Sequence, residues 1–401
     1  MEQLKKLLVT GPYDRYNYGD LLFPYMIENE IGEKYDSVIY LSTTESDLRD
    51  VGGKKTLSVK YLESLESGEN YTLILAGGHS LLASWGELYA HLSPTFKFFY
   101  EFRGFRLTNK ISFLGAITYE FFNYLGRKFL KGKSYLPLSI SLGEFPQIKT
   151  ICYNSVGTGG SLKFYNSLKN KFNRTFTNIS YLSVRDNHTF NMLNENGVKV
   201  KLVPDSAILM SKFFPPDLLK TKVNKKIMDF LDENNGYCFF HIGKHIGLKN
   251  IDTFVEQMEM LYNETNYQIC LCPLGNTLAH EDIEGLSKIA SRLRAPHILF
   301  NEVSIWDIML LIAESKICIG TSLHGVVTAM SFCVPYLGVE AGKIAVYLKT
   351  WAVEGLNKVA AVNEISTAAL SALKAPLLDL RKNLKLQREL VEESLKFMSD
   401  L

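Results

Sequence analysis

The chain alternates short apolar runs with amphipathic stretches. Leu7-Leu8-Val9, Val38 to Leu41, Tyr71 to Ala76, Ile151 to Val156, Ile179 to Val184 and Val198 to Val203 are nearly continuous apolar runs. Strands covered on both faces of a parallel sheet read this way, whereas half-solvated strands alternate. Helical periodicity falls between them, in Leu21 to Ile31 and in the stretch carrying Phe190 and Leu193, which stops at Asn196-Gly197. At Phe213-Phe214-Pro215-Pro216 through Lys225-Lys226 the double proline stops any helix and charge rises, so this segment reads as a linker. A second series follows: strands at Gly236 to Ile242, Tyr267 to Cys272, His297 to Phe300, Ile317 to Ile319 and Tyr336 to Val339, with helices near 252–265, 282–293 and 305–313. The pattern predicts an α/β fold. Because 401 residues exceed what one core serves, we expect an N-terminal domain over 1–212 and a second over 222–355. In the remainder, 356–401, Leu370, Leu373, Leu377, Leu380 and Leu384 recur every three or four residues. Such a stripe predicts a long C-terminal helix that packs back on the domains.

In an open parallel sheet, ligands sit beyond the carboxyl ends of the strands, against helix N-termini. Polar residues at those ends are therefore the site candidates. The first loop, Gly11 to Asp20, offers Asn17 and Asp20 as helix caps or ligand contacts, with Gly19 allowing close backbone approach. Tyr71 to Ala76 ends in Gly77-Gly78-His79. Ile179 to Val184 stops at Arg185-Asp186, where a guanidinium either grips phosphate or carboxylate or pairs with Asp186 or Asp205. In the second series, His241 to His245 (including Lys244), His280-Glu281-Asp282 and Gly342-Lys343 hold polar clusters. Gly320-Thr321-Ser322-Leu323-His324-Gly325 opens a small-residue helix that ends at Pro335. His324, at a helix start beside the expected crevice, is the proton-transfer candidate, since only imidazole titrates near neutrality unperturbed.

Net charge is +2, which gives no global attraction to nucleic acid, so any anion must be held locally. There is no G-x-G-x-x-G. The six cysteines lie mostly in apolar runs and read as reduced core thiols of a cytoplasmic protein. Cys270 and Cys272 lack the spacing of a zinc site, and no metal is expected. The N-terminus does not read as a signal peptide, and no run of about 20 apolar residues occurs. One stretch departs from the rest: from Phe96 to Tyr135, aromatic and basic residues interleave. That composition suits a membrane interface, a sugar platform or a partner surface, or else a core with snorkelling lysines.

Asn17-Tyr18-Gly19-Asp20, Ala76-Gly77-Gly78, Ser183-Val184-Arg185-Asp186, Val203-Pro204-Asp205 and Ser322-Leu323-His324-Gly325 with Pro335, in this order, resemble the polysaccharide pyruvyl transferase family. The resemblance implies two Rossmann-like halves facing across a cleft in the GT-B manner. It implies phosphoenolpyruvate as donor, no further cofactor, and sugar hydroxyls as acceptor, joined as a pyruvyl ketal; the Phe96 to Lys133 stretch permits a lipid-linked oligosaccharide acceptor and a cytoplasmic enzyme at the inner face of a membrane. His324, Arg185 and Asp20 then become the catalytic candidates. Asn17, Gly19, Gly77, Gly78, Ser322, Leu323, Lys244 and Lys343 become donor contacts, and His79, His280 and Asp205 acceptor contacts. Many family members have Arg where this chain has Ser322, a place where Lys244, Lys343, His241 or His245 could substitute as the cation. A nucleotide-sugar glycosyltransferase, or an inactive binding component of a polysaccharide system, are the alternatives on the same scaffold.

Overall fold

The computed structural model describes residues 4–78, 81–101, 112–158, 165–275 and 282–401. Among these, the first half forms one sheet from β1 (Lys5–Thr10), β2 (Ser37–Ser42), β3 (Ser46–Asp47), β4 (Lys55–Ser58), β5 (Asn70–Ala76), β6 (Ile148–Val156), β7 (Tyr181–Val184) and β8 (Lys201–Leu202). Their order is β3-β4-β2-β1-β5-β6-β7-β8, parallel except where β3 meets β4. The second half forms a parallel sheet from β9 (Tyr237–His241), β10 (Gln268–Leu271), β11 (His297–Leu299), β12 (Ile317–Gly320), β13 (Tyr336–Val339) and β14 (Val359–Ala360), ordered β11-β10-β9-β12-β13-β14. Central strands are buried on both faces, hence their unbroken apolar runs. In β1, Leu7 and Val9 face one apolar cluster and Leu8 the other.

The helices that bear on the site are α1 (Tyr18–Ile31), α2 (Trp85–Leu92), α3 (Pro94–Tyr100), α4 (Ser112–Leu130), α5 (Leu323–Ser331), α6 (Gly342–Trp351) and α7 (Leu377–Asp400). The two sheets share a core on one face, while the first sheet has a second cluster of its own, around Leu8, Leu73 and Tyr153, on the other. One cluster runs from Leu7 and Val9 through Phe23 and Met26 of α1 to Cys238, Phe240 and Ile319 of the second sheet. Burying that apolar surface is the main stabilising term of such a junction.

Three expectations are corrected. α1 begins at Tyr18 rather than Leu21, because tertiary bonds override the turn-like Tyr18-Gly19-Asp20: the Tyr18 N–H donates to the Leu274 carbonyl at 2.9 Å, and its buried hydroxyl meets Thr328 Oγ1 at 2.9 Å. Asn17 sits at the N-cap position of α1 but makes no side-chain cap bond. The segment 213–226 is not an open linker: Pro216 starts a short helix (Pro216–Lys220), as proline suits a first helical position, and Phe214, Leu219 and Ile227 are buried. The expected long C-terminal helix is present as α7, and only its start differs: the front of the leucine stripe forms a separate helix, Ile365–Ala372, and Pro376 stands at the N-cap position of α7. Proline removes a donor and disfavours helical backbone in the residue before it. Within the stripe, Leu380 and Leu384 are buried while Leu377 is 48% exposed. α7 touches both halves: Tyr181 and Ser394 hydroxyls lie 3.0 Å apart, and Gln387 donates to the Trp351 carbonyl at 3.3 Å.

Candidate active site

The carboxyl ends of both sheets open onto one cavity of about 540 Å³. The loop after β1 contributes Arg15, Asn17 and Asp20, that after β5 Gly78, and that after β7 Arg185. Across the cleft stand His241 and Lys244 near the end of β9, Ser322, Leu323 and His324 after β12, and Lys343 after β13. Two tertiary links fix the geometry between the halves. Asn17 forms a β-bridge with Gly275, and the Tyr16 hydroxyl donates to the Val303 carbonyl at 2.6 Å.

The floor of the cavity is built on Asp205, which is completely buried. Its Oδ2 accepts from Arg185 Nη1 at 2.6 Å and lies 3.5 Å from His324 Nε2, while Oδ1 accepts the Ala207 N–H at 3.0 Å. Burial alone would raise the Asp205 carboxyl; the His324 imidazole, the Arg185 guanidinium and the Ala207 N–H outweigh it and hold it at about 2. A proton-transfer candidate from the second half and a guanidinium from the first thus converge on one carboxylate oxygen. Arg185 is locked from behind by Trp351 Nε1, which donates to its carbonyl at 2.7 Å. Asp186 accepts the Thr189 N–H at 2.8 Å, so it caps its helix and leaves Arg185 to Asp205.

His324 stands at the start of α5 with its ring edge-on to Phe23, centroids 5.5 Å apart. Its Nε2 is buried and turned toward Asp205 without a hydrogen bond. Two glycines explain the rest of its surroundings. A methyl on Gly19 would collide with Nδ1, Cγ and Cε1 of His324, so the ring packs directly on the Gly19 backbone, a contact that any side chain there would break. A methyl on Gly78 would lie 3.3 Å from Arg185 Nη1 and Nη2 and 3.4 Å from His324 Cε1. The glycines at these two strand ends therefore serve the side chains of the site by leaving room for them.

Of the residues singled out in the sequence, Asn17, Asp20, Gly78, Arg185, Lys244, Ser322, Leu323, His324 and Lys343 line the cavity together. Gly19 and Gly77 are buried, Gly19 against His324. Asp205 is a correction: with no exposed surface it is out of reach of an acceptor hydroxyl and instead carries Arg185 and His324. His79 and His280 lie outside the described residues. Burial raises the Asp20 carboxyl, against the opposing pull of His324, Arg15, Arg185 and the Gly78 N–H. Asp282, buried on the second-half wall 3.8 Å from His241, is pushed up to about 7 by burial, although the Gly275 N–H donates to it at 3.0 Å. Lys343 is drawn down by desolvation first and by the Arg185 charge second.

The sequence reading missed Arg15, Glu87 and His91, all of which line the cavity. Arg15 is held by Asp14, its Nε donating at 3.0 Å, and Asp14 in turn accepts the Thr44 N–H at 2.9 Å. This guanidinium lines the same cavity as Ser322. Glu87 and His91 share a face of α2 at i and i+4, a polar pair on an otherwise apolar helix.

Two parallel α/β sheets whose strand ends converge on one polar cavity define an enzyme fold of the GT-B type. Solved structures agree. The UDP-GlcNAc 2-epimerase of Methanocaldococcus jannaschii superimposes with a TM-score of 0.58 at 9% identity, covering 99% of this chain and 100% of that one. The Neisseria meningitidis UDP-GlcNAc 2-epimerase gives 0.52 at 11%, covering 98% and 99%, and the Rickettsia bellii enzyme 0.52 at 13%, covering 99% and 96%. At such identities the likeness is one of fold. No curated protein matches the sequence directly. The profile of the polysaccharide pyruvyl transferase family matches residues 17–340, and the chain belongs to that family of transferases.

Proposed function

We propose that the cavity transfers pyruvate from phosphoenolpyruvate to two hydroxyls of a sugar in a cell-surface polysaccharide or its precursor, forming a pyruvyl ketal. The observation that carries this reading is the convergence of Arg185 and His324 on Asp205 at the cavity floor, with Arg15 and Lys343 also on the wall. A trianionic donor needs several local cations in a chain of net charge +2. A cavity of about 540 Å³ also leaves room for a sugar beside a three-carbon phosphate ester.

In the mechanism we favour, Arg185 and Arg15 hold the donor phosphate and carboxylate. His324, on the cavity wall, gives a proton to the methylene carbon. The cation-like C2 takes the first hydroxyl oxygen, and Asp20, a wall carboxylate whose hold on a proton burial strengthens, receives that proton and returns it to His324. The C2–O bond to phosphate then breaks with its electron pair, and the second hydroxyl closes the ring, its proton leaving on phosphate. The two hydroxyl protons thus end on the new methyl group and on phosphate. Asp205 stays ionised throughout and positions both partners.

Phosphate release with candidate sugar acceptors, together with the methyl resonance of a ketal in the product, tests the reaction. His324→Ala should lower turnover by about 10²–10⁴-fold while thermal melting persists. Stabilisation by a UDP-sugar and not by phosphoenolpyruvate in a melting assay would overturn the reading in favour of sugar transfer.

A further inference from the structure

The α3–α4 region has an outer surface that the reaction does not use. Residues 94–133 hold eight Lys and Arg against two Glu, and twelve of the forty are Phe or Tyr, in a chain whose total charge is only +2. α4 buries one face against α2: the Trp85 N–H donates to Asn123 Oδ1 at 2.9 Å, and a methyl on Gly126 would strike the Trp85 backbone. A surface helix normally turns polar residues outward. α4 turns outward Phe113, Ile117, Phe121 and Tyr124, which are 69%, 51%, 50% and 63% exposed and follow helical spacing. Phe98 on α3 is 70% exposed. Lys128 continues the same stripe at the end of α4, with Arg127 and Lys131 beside it in sequence and Lys97 next to Phe96, whose ring lies 6.3 Å from that of Phe129.

We infer that this face docks on an anionic phospholipid surface. Aromatic rings with an apolar body suit the headgroup boundary, and basic residues beside them add attraction to anionic lipid. A protein partner would fit less well, since lysine is depleted from the cores of protein interfaces. Among the described residues no helix is long and apolar enough to cross a membrane, so the face would lie on the bilayer. Glu87, Leu88 and His91 of α2, the helix packed beneath α4, line the cavity, so docking would hold its mouth close to the lipid headgroups. The inference does not depend on which sugar is the acceptor.

The test is co-sedimentation of the full chain with phosphatidylcholine vesicles, with and without phosphatidylglycerol. Binding is expected only with phosphatidylglycerol and should weaken with salt. Lys97→Ala with Lys128→Ala should weaken it about 25-fold, at roughly fivefold per basic residue. Phe113→Ser, Phe121→Ser and Tyr124→Ser together should weaken it about tenfold or more with melting unchanged, as the side chains are exposed. No binding to the anionic vesicles, equal binding to neutral ones, or binding that both variants leave intact would overturn the proposal. So would a dimer that the triple variant splits while vesicles stay unbound, for the face would then be a self-interface.

Discussion

Substituting Gly19 by alanine isolates the part played by the position of the His324 ring. Gly19 lies in the first turn of α1 with a φ that any residue can adopt, so alanine is favoured there by helix propensity, by about 1 kcal/mol. The new methyl nevertheless falls on Nδ1 and Cγ of His324, well inside the 3.0 Å that real Cβ atoms keep. The ring must retreat by more than about 1 Å, and misplacement on that scale costs ~10²-fold in rate. It would move away from its place between Phe23 and Asp205. The expected result is a loss of kcat of about a hundredfold with a melting temperature shifted by only a few degrees. Gly78→Ala, whose methyl would meet Arg185 at 3.3 Å, should lose far less, and Gly342→Ala, with no atom within 4 Å, should be neutral. The assay is phosphate release under saturating donor and acceptor, with melting in parallel. Wild-type turnover in Gly19→Ala would refute the claim that the reaction needs the His324 ring where the Gly19 backbone lets it sit.

Other expectations follow from the buried charges. Arg185→Ala leaves Asp205 ionised and unpaired, so it should destabilise the protein by about 3–5 kcal/mol and raise the donor KM, whereas Arg185→Lys should recover much of the stability but not the donor affinity; denaturant melts and donor titrations read both. Asp205, held at about 2, stabilises the fold fully above the ordinary carboxylate range, and that contribution, about 2 kcal/mol, is lost as pH falls toward 2. Asp205→Asn should therefore flatten stability against pH between about 4 and 2, as acid-unfolding curves would show. Asp282 has the opposite sign: its carboxyl, pushed up to about 7, makes stability fall as pH rises from about 4 to 7, and Asp282→Asn should abolish that slope.

Much of the architecture was legible because parallel strands buried on both faces leave unbroken apolar runs, and Leu7 to Val9, Tyr71 to Ala76 and Ile317 to Ile319 all became central strands. The strand-end rule likewise brought His324, Arg185 and Asp20 to one cavity. It had less to say about depth. Asp205 sits at a strand end as His324 does, but it lies under the floor against Arg185 and His324, a placement set by tertiary packing. Arg15 lies in the same loop as Asn17 and was open to the same argument. Glu87 and His91 follow closely on Gly77-Gly78, but they sit in an apolar helix that carries no strand-end signal, so their part in the wall depends on tertiary packing. Likewise, tertiary bonds from Tyr18 extended α1 across a glycine that propensity alone would have left outside.

The apolar cluster shared by both sheets has a mechanical consequence. Phe23 and Met26 of α1 belong to it along with Phe240 and Ile319, and the Tyr18 N–H and hydroxyl tie the same helix to Leu274 and Thr328. Prising the clamshell apart would strip oil from water-free contacts and sever those ties at once, so reactants should come and go by side-chain and loop adjustments around a jaw that stays shut. Heating should then melt the whole chain in one step, with no half surviving the other.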